Sequence, residues 1–173
     1  MKKSGIYHFR VAIYDSETGK AGAAAKFLET PKFEKQRLWI SNLTLNEIPT
    51  KKQKETLNKS SLYSNTTNRK FALPTYLSYR SVIYNAKKSG EGQTDVEVQT
   101  RLILDNRIVR ETPFVKLTTA DQKDPNRIDL AGAIRLDKDL APGNYIFQLI
   151  VRDGLTKKKF QIATQWVDFE LTR

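Results

Sequence analysis

The sequence predicts an all-β protein: an antiparallel β-sandwich of the immunoglobulin or fibronectin type III kind, preceded by an extra β-hairpin. Three observations predict this class. Apolar and polar residues alternate with a period of two along several segments, as in half-buried strands. Residues that favour tight reversals separate these segments. No segment keeps an apolar period of 3.6 over three turns, which argues against parallel β-α-β architecture.

The first predicted element is a hairpin within residues 5–30. Tyr7, Phe9, Val11 and Ile13 fall on one face of a strand, and the residues between them fall on the other. Residues 15–19 supply the turn chemistry, and a second strand returns after it.

Further strands follow along the chain. The clearest alternation lies in residues 96–104 and 145–151. The reversals between strands are predicted at these residue pairs: Asp105 with Asn106, Pro142 with Gly143, and Asp153 with Gly154. The strands predicted after the first hairpin are 38–45, 75–86, 96–104, 107–111, 127–136, 145–151 and 159–171.

The last strand changes parity along its length. Phe160 and Ile162 share parity with Trp166, whereas Val167 and Phe169 take the other. A strand that keeps one face inward cannot place both sets in the core, so a β-bulge or crossover is predicted near residues 165–167, with Trp166 as a structural residue.

An internal repeat gives the domain prediction. One set of residues recurs later in the chain at a constant offset: Gly5, Tyr7, Phe9, Asp15, Thr18, Lys20 and Ala25 return as Gly143, Tyr145, Phe147, Asp153, Thr156, Lys158 and Ala163. Tyr145 follows a turn at the start of the penultimate strand, where its hydroxyl can anchor a tyrosine corner.

The domain prediction follows from this repeat. Residues 35–173 are predicted to form a complete immunoglobulin-like domain with a long polar loop at about 46–70. Residues 1–34 are predicted to be the final hairpin of a preceding domain, with Tyr7 as its structural tyrosine. Such a hairpin needs a cover, either the complete domain or a second copy.

Composition limits the chemistry. The chain has no cysteine, which removes disulfides, thiolate nucleophiles and zinc–thiolate sites and fits either a reducing compartment or a surface protein. His8 is its only histidine, so no catalytic triad or multi-histidine metal site is predicted. The sequence therefore predicts no enzyme activity and no cofactor.

A loose set of acids raises one metal hypothesis. The set comprises Asp121, Asp124, Asp129, Asp137 and Asp139. Carboxylates of this kind hold hard cations such as calcium when they converge, but solvated loop charge is the favoured interpretation.

The charge balance predicts contact with polyanions. Thirty Lys and Arg against nineteen Asp and Glu give a formal net charge of +11. Three basic runs would form a polyanion patch if their loops converged at one end: Lys51, Lys52 and Lys54; Lys87 and Lys88; and Lys157, Lys158 and Lys159. Solubilising turn charge is the favoured interpretation of these runs.

The sequence predicts neither membrane insertion nor a signal peptide in the chain as given. No stretch approaches the roughly 18 consecutive apolar residues of a membrane helix. Residues 1–3 are basic, but Gly5, His8 and Arg10 interrupt the apolar region that a signal peptide requires.

Three stretches together resemble the C-terminal region of bacterial von Willebrand factor A-related proteins of the acidobacterial type: GIYHFRVA at 5–12, VIYNAK at 82–87 and ATQWVDFE at 163–170. The resemblance runs from about residue 4 to 171. It implies a long exported protein, in the periplasm, at the cell surface or secreted, in which a von Willebrand A domain precedes this part. It implies an adhesive or scaffolding role.

No metal-site residue carries over from that resemblance. The A domain's metal site uses Asp-x-Ser-x-Ser, whereas residues 15–18 have Glu17 where the serine should stand.

The functional prediction is a non-catalytic interaction or scaffolding module of an exported bacterial multidomain protein. It would bind a protein partner, or itself, through loops or an exposed strand edge. The alternative is a basic module that binds an acidic glycan or nucleic acid.

Overall fold

The computed structural model describes residues 5–30, 37–48, 69–119, 124 and 126–173. Within them, the regular structure is β-strand apart from one 3-10 turn at Lys158–Phe160, which confirms the predicted all-β class. No helix in this part of the chain is long and apolar enough to cross a membrane. The chain divides into two compact units, Met1–Lys35 and Gln36–Arg173.

The first unit is an antiparallel hairpin of β1 (Gly5–Tyr14) and β2 (Ala21–Thr30). Its register is unbroken along the full length of both strands. The backbone N–H of Asp15 closes the turn by donating to the Lys20 carbonyl oxygen at 2.9 Å. Gly19 has a φ of 67°, a left-handed conformation that glycine adopts without the penalty of a side chain.

The second unit contains the remaining strands: β3 (Trp39–Ile40), β4 (Thr44–Glu47), β5 (Lys70–Ala72), β6 (Thr75–Tyr84), β7 (Val96–Leu104), β8 (Arg107–Glu111), β9 (Val115–Lys116), β10 (Arg127–Leu136), β11 (Gly143–Asp153) and β12 (Ile162–Thr172). They form two sheets. In the smaller sheet, β6 lies between β10 and the pair β3 and β4. The larger sheet runs β5-β12-β11-β7-β8, with β9 also on β7. All pairings are antiparallel except β5 with β12.

The two sheets share one hydrophobic core. Alternate residues of β6 and β11, such as Leu77 and Leu149, are fully buried, as the period-two pattern predicts. The Tyr79 ring of the smaller sheet lies 5.1 Å from the Phe147 ring of the larger one. Tyr79 also lies over Gly132, where an added Cβ would overlap the tyrosine ring, so glycine at this position lets the ring reach across the sheet.

Tyr145 joins the core to the turn that precedes its strand. Its ring is 1% exposed and stacks on Phe169, with ring centroids 5.7 Å apart. Its hydroxyl donates to the Ala141 carbonyl oxygen at 2.8 Å, the kind of hydrogen bond that defines a tyrosine corner. Burial raises the pKa of this phenol, so the hydroxyl stays a donor over a wide pH range.

The predicted β-bulge near residues 165–167 is wrong. β12 pairs with β11 in one continuous register, from Gly143 opposite Leu171 to Arg152 opposite Ile162. Val167 and Phe169 point into the core, and Trp166 lies on the outer face, 59% exposed. Phe160 belongs to the 3-10 turn and not to β12, and an exposed sheet face tolerates large apolar side chains such as Trp166, so the change of parity needs no bulge.

Other strand limits also differ from the prediction. The segment 38–45 splits into β3 and β4 at Ser41. The Ser41 hydroxyl accepts the Val82 N–H at 2.8 Å, in place of the backbone carbonyl oxygen that would accept it in a regular strand pair. The predicted loop at 46–70 is shorter, since β4 continues to Glu47 and β5 begins at Lys70. Residues 49–68 of that loop lie outside the described residues.

The tyrosine corner gives the first prediction. Tyr145→Phe removes one buried hydrogen bond and keeps the ring, so the free energy of unfolding of the second unit should fall by about 1 kcal/mol. Urea titration followed by tryptophan fluorescence measures it, because Trp39 and Trp166 both lie in this unit. Tyr76→Phe is the matched control, since Tyr76 is exposed, and should change stability by less than about 0.5 kcal/mol. An equal effect of both substitutions would contradict the anchoring role of Tyr145.

Candidate interaction surfaces

The internal repeat is also a repeat of turn geometry. Asp15 accepts the Glu17 N–H at 2.9 Å and the Thr18 hydroxyl at 2.5 Å. Asp153 accepts the Leu155 N–H at 3.0 Å and the Thr156 hydroxyl at 2.7 Å. The two hairpins therefore begin their turns with the same arrangement of an aspartate and a threonine three residues later.

The surroundings of the two aspartates differ. The pKa of Asp15, which is exposed, is lowered chiefly by the Thr18 hydroxyl and then by the backbone N–H groups of Glu17 and Thr18. Asp153 is 0% exposed. It accepts one further bond, from the Lys87 N–H at 2.8 Å.

The hairpin of the first unit presents an apolar face. Phe9, Val11 and Ile13 lie on one face of β1, and we call them the hairpin face. Their exposed fractions are 55%, 61% and 71%. The residues at the same places in the repeat, Phe147, Leu149 and Val151, are all 0% exposed. The same strand pattern is thus buried in one unit and exposed in the other.

The opposite face of this hairpin also carries exposed rings. His8 stacks on Phe27, with centroids 4.3 Å apart, and Arg10 Nε donates to His8 Nδ1 at 3.3 Å. This geometry assigns the only histidine to a surface aromatic pair. Ile6 and Tyr14 on the same strand are 74% and 69% exposed.

The hairpin edges are open in the part of the chain that the structure describes, where β1 and β2 pair only with each other. Backbone groups alternate in direction along an antiparallel strand. Because the Asp15 N–H points to β2, the N–H groups of His8, Arg10 and Ala12 point to the open edge.

On two strands of the sandwich, a side chain covers a backbone group at the edge. Arg110 donates to the Arg135 carbonyl oxygen of edge strand β10 at 2.8 Å. On β12, the side-chain oxygen of Gln165 accepts the Trp166 N–H at 3.1 Å. The pairing of β8 with β7 contains a register shift, which also weakens an edge as a template.

Asp153 ties the segment that carries Lys87 and Lys88 to the turn that precedes Lys157. Its bond to the Lys87 N–H ties the segment after β6 to the turn between β11 and β12. We call the described lysines of the predicted patch the lysine end: Lys87, Lys88, Lys157, Lys158 and Lys159. Lys88 Nζ donates to Asn126 Oδ1 at 3.1 Å, and Lys159 Nζ lies 5.5 Å from the Phe160 ring centroid. The other predicted members, Lys51, Lys52 and Lys54, lie outside the described residues.

The acids considered for calcium are held by other partners. Several pair with arginines: Arg127–Asp129 at 3.5 Å, Arg135–Asp137 at 2.6 Å and Arg110–Asp139 at 3.3 Å. Asp124 accepts the Asn126 N–H, and Asp121 lies outside the described residues. In the described ranges, no group of three or more His, Cys, Asp or Glu side chains is placed to hold a metal ion.

Two features of these surfaces escape sequence reasoning. The repeat marks Asp15 and Asp153 as turn residues, but nothing in it distinguishes the buried aspartate from the exposed one. The exposure of the hairpin face cannot be read from the sequence either, because its alternation is that of a core strand.

The chain matches no protein-family model and no curated protein sequence.

The second prediction concerns Asp153. Asp153→Asn replaces one carboxylate oxygen with an amide donor that must face existing donors. The free energy of unfolding of the second unit should therefore fall by about 3 kcal/mol, measured by urea titration. Asp15→Asn is the matched control, since it changes the equivalent turn where the side chain is exposed, and should leave that value unchanged. Equal stability of the Asp153 variant and the wild type would show that the buried bonds are not needed.

Proposed function

We propose that this chain is a non-catalytic interaction module of an exported bacterial multidomain protein, and that its hairpin β1–β2 is the docking element. The observation that carries the proposal is the exposure of Phe9, Val11 and Ile13, whose counterparts in the repeat are core residues. Contiguous exposed apolar side chains mark interaction sites.

Physical chemistry supports a partner for this hairpin. A two-stranded hairpin alone is marginally stable in water, because it buries little apolar surface. Its free edge also presents unpaired N–H and C=O groups, which readily accept another strand. The edge caps on β10 and β12 favour the hairpin over the sandwich as the place of docking.

The remaining parts of the proposal have separate support. The two-sheet core and the Tyr145 bond to Ala141 support an immunoglobulin-like sandwich. The pairing of His8 with Phe27, and of Asp137 and Asp139 with arginines, supports a role without catalysis. The resemblance to von Willebrand factor A-related proteins supports export and a scaffolding role.

The third prediction tests the hairpin face. Phe9→Glu with Val11→Glu places two charges on that face and should weaken association at least tenfold. We expect the wild-type chain to associate, either with itself in sedimentation velocity or with an envelope protein in capture experiments.

The matched control is His8→Glu with Ala12→Glu, which adds the same charge to the opposite face of β1 and should change affinity by less than about threefold. The proposal fails if the wild-type chain associates with nothing, or if both variants behave alike.

A second candidate function is polyanion binding at the lysine end. The hydrogen bond from the Lys87 N–H to Asp153 favours it, because this contact ties Lys87 to the turn that leads to the distant run of Lys157, Lys158 and Lys159. Clustered lysines bind phosphate or sulfate groups with little selectivity and strong salt dependence.

The fourth prediction tests this candidate. Changing Lys157, Lys158 and Lys159 to Gln should reduce the slope of log affinity against log salt by about 2 to 3 for labelled DNA or an acidic glycan. Anisotropy titrations at several salt concentrations measure the slope. A control of equal charge change replaces the exposed residues Arg107, Lys138 and Arg173 with Gln. No salt-sensitive binding by the wild type would exclude this function.

A further inference from the structure

We infer that the partner of the hairpin is an antiparallel strand resembling β7, carried by a sandwich unit of the same build that lacks its own last hairpin. The inference rests on the proposed function and specifies its partner. The structural repeat carries it, since β11–β12 shows what surrounds such a hairpin when its apolar face is buried.

The surroundings of β11–β12 define what β1–β2 lacks. β7 pairs with β11 from Leu104 opposite Tyr145 to Val96 opposite Asp153. β5 lies parallel to β12 on the other side. The smaller sheet covers the inner face, with Tyr79 on Phe147. Each neighbour belongs to the sandwich that the hairpin completes.

Backbone directions agree between the two hairpins. The N–H groups of Asp15 and Asp153 both cross to the second strand of their hairpin, to Lys20 and Gln161, each at 2.9 Å. The N–H groups of His8, Arg10 and Ala12 therefore point away from β2. The N–H groups of the equivalent residues, Ile146, Gln148 and Ile150, point to β7. In this register, the partner residue that corresponds to Leu104 lies opposite Tyr7.

The register also predicts the chemistry of the partner strand. Val96, Thr100 and Leu102 of β7 are buried, so the partner needs small or apolar residues at alternate positions. Arg10 corresponds to Gln148, and Gln148 lies opposite Arg101 of β7. An acid in the partner strand at the position that corresponds to Arg101 would therefore form a cross-strand charge pair with Arg10.

The inner face adds a second requirement. Lys26 lies opposite Phe9, just as Val167 lies opposite Phe147. A lysine in this place needs an acid or water within reach once it is covered. We therefore expect the covering sheet to supply an acid near Lys26 and an aromatic ring over Phe9.

A second copy of the described sandwich does not fit. In it, β7 already pairs with β11 on one edge and with β8 and β9 on the other. Its own β11–β12 also fills the place of the last hairpin. A second copy would offer only its own hairpin, which is the competing outcome of the test.

The fifth prediction uses the full chain with an appended strand. A copy of the Val96–Leu104 sequence with Glu at the counterpart of Arg101, joined ahead of residue 1 by a flexible Gly-Ser linker, raises the effective concentration of a β7-like strand. Hydrogen exchange of the His8, Arg10 and Ala12 amides should slow at least tenfold in NMR measurements. The amides of Phe9 and Val11, which point to β2, should also slow, because pairing with the appended strand stabilises the ordered hairpin.

The control carries proline at the appended counterparts of Gln99 and Arg101, whose N–H groups face the hairpin in this register. It should restore the exchange rates of the unfused chain. Equal rates in the matched and proline fusions would overturn the inferred partner strand. The proposed docking role would still stand if Phe9→Glu with Val11→Glu abolished association.

A third outcome also counts against the inference. Protection of the same amides in the unfused chain that increases with protein concentration would identify a second copy of the hairpin as the partner. That result would keep the docking role and replace the inferred partner.

Discussion

The buried carboxylate of Asp153 is the contact on which the described arrangement of the second unit depends. It accepts hydrogen bonds from its own turn, through Leu155 and Thr156, and from Lys87 on another connection. Burying a charge is costly unless donors satisfy it, and these bonds supply that compensation. The same bonds hold the end of β6, in the smaller sheet, to the β11–β12 turn of the larger one. One side chain therefore links the segment after β6 to the β11–β12 turn.

Much of this fold is readable from alternation, because burial of one sheet face imposes a period of two. The limits of β8 and β10 agree with the pattern residue for residue. The misses have physical causes. β5 and β9, with three and two residues, are too short to show a period. The Ser41 hydroxyl, which replaces a backbone acceptor, divides one expected strand into β3 and β4. Trp166 shows that the outer face of a sheet need not be polar.

The interaction surfaces were less predictable, because they depend on contacts between distant residues. The lysine runs are visible in the sequence, but the bond that ties Lys87 to the turn before Lys157 spans 66 positions. The repeat identified Asp15 and Asp153 as equivalent, and their turn bonds agree. It could not show that one aspartate is exposed and the other buried, since burial depends on what packs above the turn.

A strand sequence encodes which face is apolar but not what covers that face. Tyr145, Phe147 and Leu149 pack within the sandwich core, whereas Phe9 and Val11 carry the same alternation on a hairpin with no neighbouring strand among the described residues. A hairpin with so little buried surface has a low free energy of opening, and a partner that binds only its ordered form stabilises it. Order in the hairpin and occupancy by its partner are thus thermodynamically linked. The apolar face that makes the isolated hairpin marginal also provides the driving force for docking.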